Sequence, residues 1–165
     1  EPSRGRRLRR LTLTAAPCDI WFYHLERSPL EEVLPGLLEK TLGRGWRALV
    51  RGGDPGRLRE LDTHLWTFRD DSFLPHGLDD EPMADRQPVL LTDKLDNPNA
   101  GQALFLLDGA EPGDLSAFER CILLFDGRDE EALRLARGRW KAFKDAGHPV
   151  SYWRQGAERG WEKQA

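Results

Sequence analysis

Five short apolar runs alternate with segments of helical period, and this alternation constrains the chain more than any other feature. The runs are CDIWFYHL (18–25), WRALVRGG (46–53), PVLLTDK (88–94), ALFLLDGA (103–110) and ILLFDG (122–127). Between the first two, residues 28–45 open with Ser28 as N-cap and Pro29 at the first helical position, with Pro35 placed to kink or delay the helix. Residues 54–68 open with Asp54-Pro55 and carry Leu58, Leu61, Leu65 and Trp66 on one helical stripe. A short helix is expected over 114–121. The clearest helix spans 128–147, with acids at its start and bases toward its end, as the helix dipole favours. Continuous apolar strands that alternate with helices indicate an α/β fold whose sheet is mostly parallel and covered on both faces. No internal repeat is visible. Residues 148–165 read as a tail pinned by Tyr152 and Trp153.

The chain has 165 residues, enough for one domain, with 39% hydrophobic and 32% charged residues. No run approaches the roughly 18 apolar residues of a membrane span. Cys18 and Cys121 lack a CxxC partner, so neither a disulfide framework nor a zinc site is expected, and a reducing cytoplasm is the simplest setting. Residues 1–17 hold five Arg and one Glu, or +4, so the rest of the chain carries −7 of the total of −3. A body that acidic is a poor general binder of nucleic acid. The leader has no apolar core and is not expected to be a secretory signal. It reads as a disordered extension or an upstream mis-start in preference to a basic arm on DNA or an organelle-targeting segment, and it is left out of the fold.

The phosphate loops that α/β folds use would follow the strands. The first strand is followed by ERSPLEE, without glycine. The second is followed by RGGDPGR, which fits neither GxGxxG nor GxxxxGK[ST] and suits a turn into a helix at least as well. There is no GxSxG elbow. His24, His64, His76 and His148 form no metal spacing, and each reads more simply as a structural residue. The acids between Asp70 and Asp85 read as a solvated loop. No base, nucleophile and oxyanion donor come together in the sequence.

The last helix carries more. At 100° per residue, Arg137, Lys141 and Lys144 fall within about 60° of one another, with Trp140 and Leu133 on the same side. Ala132, Leu135, Ala136, Ala142 and Phe143 fall on the other side, the expected core face. A cationic stripe with an aromatic on an acidic protein is either a solvated helix face or a pocket for a small acidic ligand with an apolar end. In the pocket reading, Arg and Lys hold carboxylates and the indole supplies an apolar wall.

FYHL (22–25), LDTHLWTFRDDSFLPHGL (61–78), QPVLLTD (87–93) and LARGRWKAFKDAGHPVSYW (135–153) together resemble the chi subunit of bacterial DNA polymerase III holoenzyme. The resemblance covers residues 18–153. It implies a Rossmann-like three-layer sandwich, with a mostly parallel central sheet and helices on both faces, and no catalytic activity. It implies a cytoplasmic clamp-loader accessory subunit that binds the C-terminal tail of single-stranded DNA-binding protein. That tail carries several Asp and ends in Pro-Phe with a free carboxylate. A psi subunit or another clamp-loader subunit is the second implied partner, and DNA is reached only indirectly. No metal, cofactor or membrane is implied.

Carried over by position, the tail-contacting residues are Phe73, Arg137, Trp140 and Lys141. Trp140 stands where a relative has Tyr. Asp126 stands where an apolar residue is expected, which works against an acidic peptide there. The organisation expected is a basic leader (1–17), a chi-like domain (18–153) and a polar tail (154–165). Within 65–78, Leu65, Trp66 and Leu74 are expected to pack inward, Phe73 to be exposed, and His76 to stabilise a loop. The runner-up reading is a small nucleotide- or nucleic-acid-processing enzyme on the same fold. A direct DNA binder acting through the leader is a third.

Overall fold

The computed structural model describes residues 17–68, 74–156 and 160–165. Among these residues the centre is one sheet of eight strands: β1 (Asp19–Leu25), β2 (Ala48–Arg51), β3 (His76–Leu78), β4 (Val89–Thr92), β5 (Ala103–Leu106), β6 (Arg120–Asp126), β7 (Val150–Gln155) and β8 (Trp161–Lys163). The spatial order is β3-β4-β2-β5-β6-β1-β7-β8. Every pairing in it is parallel except β7 with β8. The sheet is flanked by α1 (Leu30–Gly43), α2 (Pro55–Thr67) and α3 (Glu130–Asp145).

On one face, Leu34 and Leu38 of α1 and Leu58, Leu61 and Leu65 of α2 pack on Tyr23, Val50, Leu91, Phe105 and Leu124. On the other, Ala136 and Phe143 of α3 meet Phe22, Leu104, Cys121 and Leu123. There the β5–β6 connection supplies Ala110, Leu115 and Phe118 in place of a second helix. The architecture is thus a mixed α/β sheet with helices on both faces. Its strand order departs from the doubly wound order 3-2-1-4-5-6.

Local chemistry explains the elements. Asp54 caps α2 by accepting the Arg57 N–H at 2.9 Å, and Asp129 caps α3 by accepting those of Glu131 and Ala132. Helix α1 does not use Ser28 as its cap. Its N-cap is Pro29, without a side-chain hydrogen bond. The N–H groups of Glu26, Arg27 and Ser28 instead donate to Oε1 of Gln155 at 2.8–3.1 Å. Pro35 lies inside α1, so the Glu31 carbonyl one turn earlier loses its usual donor. Nε2 of His64 takes that role at 2.7 Å, which keeps the helix whole and ties α2 to α1. Arg51 is almost wholly buried, with no carboxylate in contact among the described residues. Its guanidinium donates to the carbonyls of Lys94, Leu95, Glu111 and Pro112.

Three segments differ in type from the sequence expectation. Residues 114–121 are not helical: Asp114 accepts the Ser116 N–H in a turn, Leu115 and Phe118 drop into the core, and β6 begins at Arg120. The segment around His76 is a parallel edge strand rather than loop. The C-terminal stretch expected as a tail supplies β7 and β8, with Trp161 stacked on Tyr23 at 4.4 Å. These short strands lack an apolar run and exist through pairing and stacking.

Leu65 and Leu74 are buried as expected, but Trp66 is 50% exposed, its ring against His76 at 4.3 Å. His76 is buried, with its ring nitrogens on the carbonyls of Leu74 and Asp62 at 2.7 and 3.1 Å. Its role is structural, within a strand.

Candidate peptide-binding site

Helix α3 is turned on the sheet relative to what its residue pattern suggests. Its buried line runs through Ala136, Trp140 and Phe143, a spacing of four and three. Trp140 therefore does not stand away from the core. Its ring meets Phe22 edge-on at 5.5 Å and Tyr152 edge-on at 5.8 Å. Leu135 and Ala142, expected in the core, are exposed instead. The cause is a rotation of the helix toward β7, where Trp140 fills the space over Phe22 better than alanine could. Arg139 braces the opposite edge by donating to the carbonyls of Ala110 and Gly109 at 2.7 and 3.1 Å.

Around the half-buried indole the sequence-derived site residues divide clearly. Arg137 is exposed, with no carboxylate partner among the described residues. Burial raises the pKa of the Tyr152 hydroxyl, and the charges of Arg154 and Arg137 oppose that rise. Lys141 is exposed and paired with Asp145 one turn on, at 3.0 Å. The Lys144 ammonium lies 5.7 Å from the Trp140 ring centre. Arg137, Trp140 and Lys141 are thus brought together on one helix face. Phe73 lies outside the described residues. Of the described residues on either side of it, Leu74 is buried in the core on the α1–α2 side and Phe68 packs against that core.

The strands add groups that helical spacing does not reveal. Tyr152 and Phe125 pack edge-on at 6.1 Å beside Trp140. The Tyr152 hydroxyl is 2.6 Å from Nδ1 of His24, and Nε2 of His24 is 3.2 Å from the Glu26 carboxylate. Burial pulls the His24 imidazole below its ordinary value, against an opposing pull from Glu26. Gly127 is required here, because a Cβ would lie 1.8 Å from the imidazole Nε2. The period-two alternation of β1 and β7 was the signal available in the sequence, since it sets Phe22 and Tyr152 on one face, in register. Asp126 is less hostile to an anion than its residue type suggests. Arg128 holds its carboxylate through the side chain at 3.0 Å and the backbone N–H at 2.9 Å, and lowers its pKa.

The glycine-rich turn after β2 has a packing role. A Cβ on Gly52 would stand 2.8 Å from Cδ2 of Leu58, so glycine lets α2 approach the sheet. The start of α2 is occupied by carboxylates: Asp54 caps it, and Arg57 is paired with Glu31 and Asp108. Among the described residues no group of three or more His, Cys, Asp or Glu is placed to hold a metal ion. No helix among them is long and apolar enough to cross a membrane.

Residues 18–151 match the family model described as DNA polymerase III chi subunit, HolC. The chain belongs to the DNA polymerase III chi subunit family. It is 30% identical over 115 residues to the DNA polymerase III subunit chi of Pseudomonas aeruginosa, covering 69% of this chain and 78% of that one. It is 25% identical over 111 residues to the probable DNA polymerase III subunit chi of Rickettsia prowazekii, covering 63% of this chain and 67% of that one. The resemblance seen in the sequence is thereby established, and with it a non-catalytic accessory role in the clamp-loader assembly.

Proposed function

We propose that this accessory subunit is an adaptor that holds the acidic C-terminal tail of single-stranded DNA-binding protein against α3. Arg137 takes the terminal carboxylate of the tail and Trp140 walls the final Phe. Lys141 faces the upstream Asp side chains, and Phe73 adds a further apolar contact. The observation that carries this reading is the pairing of an exposed Arg137 without a carboxylate partner among the described residues with an indole fixed by Phe22 and Tyr152. A guanidinium holds both oxygens of a carboxylate at once, and a fixed ring loses little freedom on binding. A psi subunit or another clamp-loader subunit anchors the domain in the bacterial cytoplasm, at the replisome. The test is capture of single-stranded DNA-binding protein by the immobilised chain. The intact protein is retained and the same protein without its tail is not. Equal retention of both rejects the site.

A further inference from the structure

The two ends of the sheet are covered unequally. On the α1–α2 face, α1 packs over β2 and β6 and α2 over β3 and β4, while α3, the helix that packs on β7, lies on the opposite face. At the β7–β8 end the side chains on the α1–α2 face are aromatic and are joined by cations. Arg44 lies 4.3 Å from the ring centre of Trp46, and Arg120 is 5.2 Å from the same ring. Arg120 is also 4.0 Å over Trp21, which stacks on Trp153 at 5.4 Å, and Lys163 lies 6.0 Å from Trp153. Tyr23 stacks on Trp161 beside this row.

None of Arg44, Arg120 and Lys163 is ion-paired with a carboxylate among the described residues. The carboxylate of Asp19, on the same face, is engaged by the Trp21 indole N–H at 2.8 Å. Arg44 and Arg120 share one indole, and burial together with repulsion from Arg44 lowers the Arg120 pKa against an opposing pull from Asp19. Nε of Arg120 is buried without a hydrogen-bond acceptor. One face of Trp161 is covered by Tyr23, and no second ring or cation lies on its other face among the described residues.

We propose that this aromatic–cationic strip at the β7–β8 end of the sheet binds a short single strand of nucleic acid. The inference goes beyond the adaptor reading and does not depend on it. Phosphates would settle between Arg44, Arg120 and Lys163. A base would stack on the open face of Trp161, and another would replace the loosely held Lys163 ammonium over Trp153. An acidic peptide would satisfy the cations but carries an aromatic group only at occasional positions, whereas every nucleotide brings a base beside its phosphate. A duplex has its bases already stacked. The acidic charge of the whole body opposes binding at long range, but within a Debye length of roughly 10 Å the local cations dominate.

The experiment is fluorescence anisotropy of a labelled oligothymidylate with the full chain, since the Arg-rich leader then contributes equally to every variant. Trp161→Ala should weaken binding at least about fivefold, the lower end of what one stacked base contributes. Arg44→Gln and Lys163→Gln, both at exposed positions, should each weaken it and flatten its salt dependence. None of the three should alter affinity for the acidic tail peptide, so loss of tail binding would be a separate failure, of the adaptor reading. The proposal is overturned if the wild-type chain does not bind the oligothymidylate, or if all three variants bind it as wild type does, which would assign the binding to the leader. It is also overturned if polyglutamate or a duplex of the same length competes equally well.

Discussion

Trp140→Ala should damage the fold as well as the site, and the size of the damage follows from where the ring sits. Full burial of Phe or Trp lost to alanine costs about 3–5 kcal/mol, and each edge-on aromatic pair adds roughly 0.5–1.5 kcal/mol. Trp140 is only partly buried, and it meets Phe22 and Tyr152 through ring edges. Half of the full burial figure, about 2 kcal/mol, is the expectation. For a chain of this size that corresponds to a fall in Tm of about 4–8 °C. Trp140→Tyr keeps both aromatic contacts and should lose less than half as much. The assay is urea unfolding of wild type and the two variants. The midpoint should fall in the order wild type, Tyr, Ala, at an unchanged denaturant slope. If the alanine variant unfolds with wild type, Trp140 is a surface residue, and the rotation of α3 toward β7 described above is wrong.

Three further outcomes follow from particular contacts. His64→Ala strands the Glu31 carbonyl beneath Pro35 and should cost about 1–3 kcal/mol. Adding Pro35→Ala should recover most of this, because alanine at that position restores the helical N–H donor, and a double variant no more stable than His64→Ala alone refutes the account. The depressed pKa of His24 means that the neutral imidazole is the folded form. Its contribution to stability is complete above the ordinary imidazole value of about 6.5 and is lost as pH falls through the lowered folded value. The urea midpoint of wild type should therefore drop on moving from pH 7 to pH 5, about the range above carboxylate titration, and His24→Gln should shrink that drop; an equal drop in the variant refutes the assignment. Phe73→Ala should weaken binding of the tail peptide without changing that of the oligothymidylate, as measured by titration with each; equal peptide affinity removes Phe73 from the site.

Much of the fold was legible because apolar runs and capping residues are local signals. β1, β2, β4, β5 and β6 fall largely within the apolar runs, and α1, α2 and α3 within the expected helical segments. What escaped was non-local. His76–Leu78 and Trp161–Lys163 are three-residue strands with no pattern of their own, formed because a neighbouring strand offers its edge. The phase of α3 escaped for a related reason. Leu135 and Ala142 look like core residues on a helical wheel, and only the space over Phe22 selects Trp140 in their stead. The site residues on α3 were readable from spacing together with family resemblance. For their surroundings on β1, β6 and β7 the period-two alternation gave the face of each side chain, but not that Tyr152, Phe125 and His24 converge, which takes the sheet register. Asp126 shows the limit of residue type alone, since the charge that counted against it is held by Arg128.

The most direct test of the adaptor account is calorimetric titration of the chain with a synthetic peptide ending in Asp-Asp-Pro-Phe, beside the same peptide without its final Phe. The account predicts binding of the first and loss of most affinity for the second. It also predicts that the bound tail covers Arg137, exposed in the free chain, so that Arg137→Ala weakens the full peptide by at least about tenfold, from the roughly 2–5 kcal/mol lost when one member of a covered charge pair is removed. Arg137→Lys should recover only part of that, and Lys141→Ala should matter little, since an exposed pair is worth roughly 0–1 kcal/mol. Equal affinity for the two peptides, or an Arg137→Ala variant that binds as wild type does, would contradict the account and leave the outer face of α3 as solvated surface.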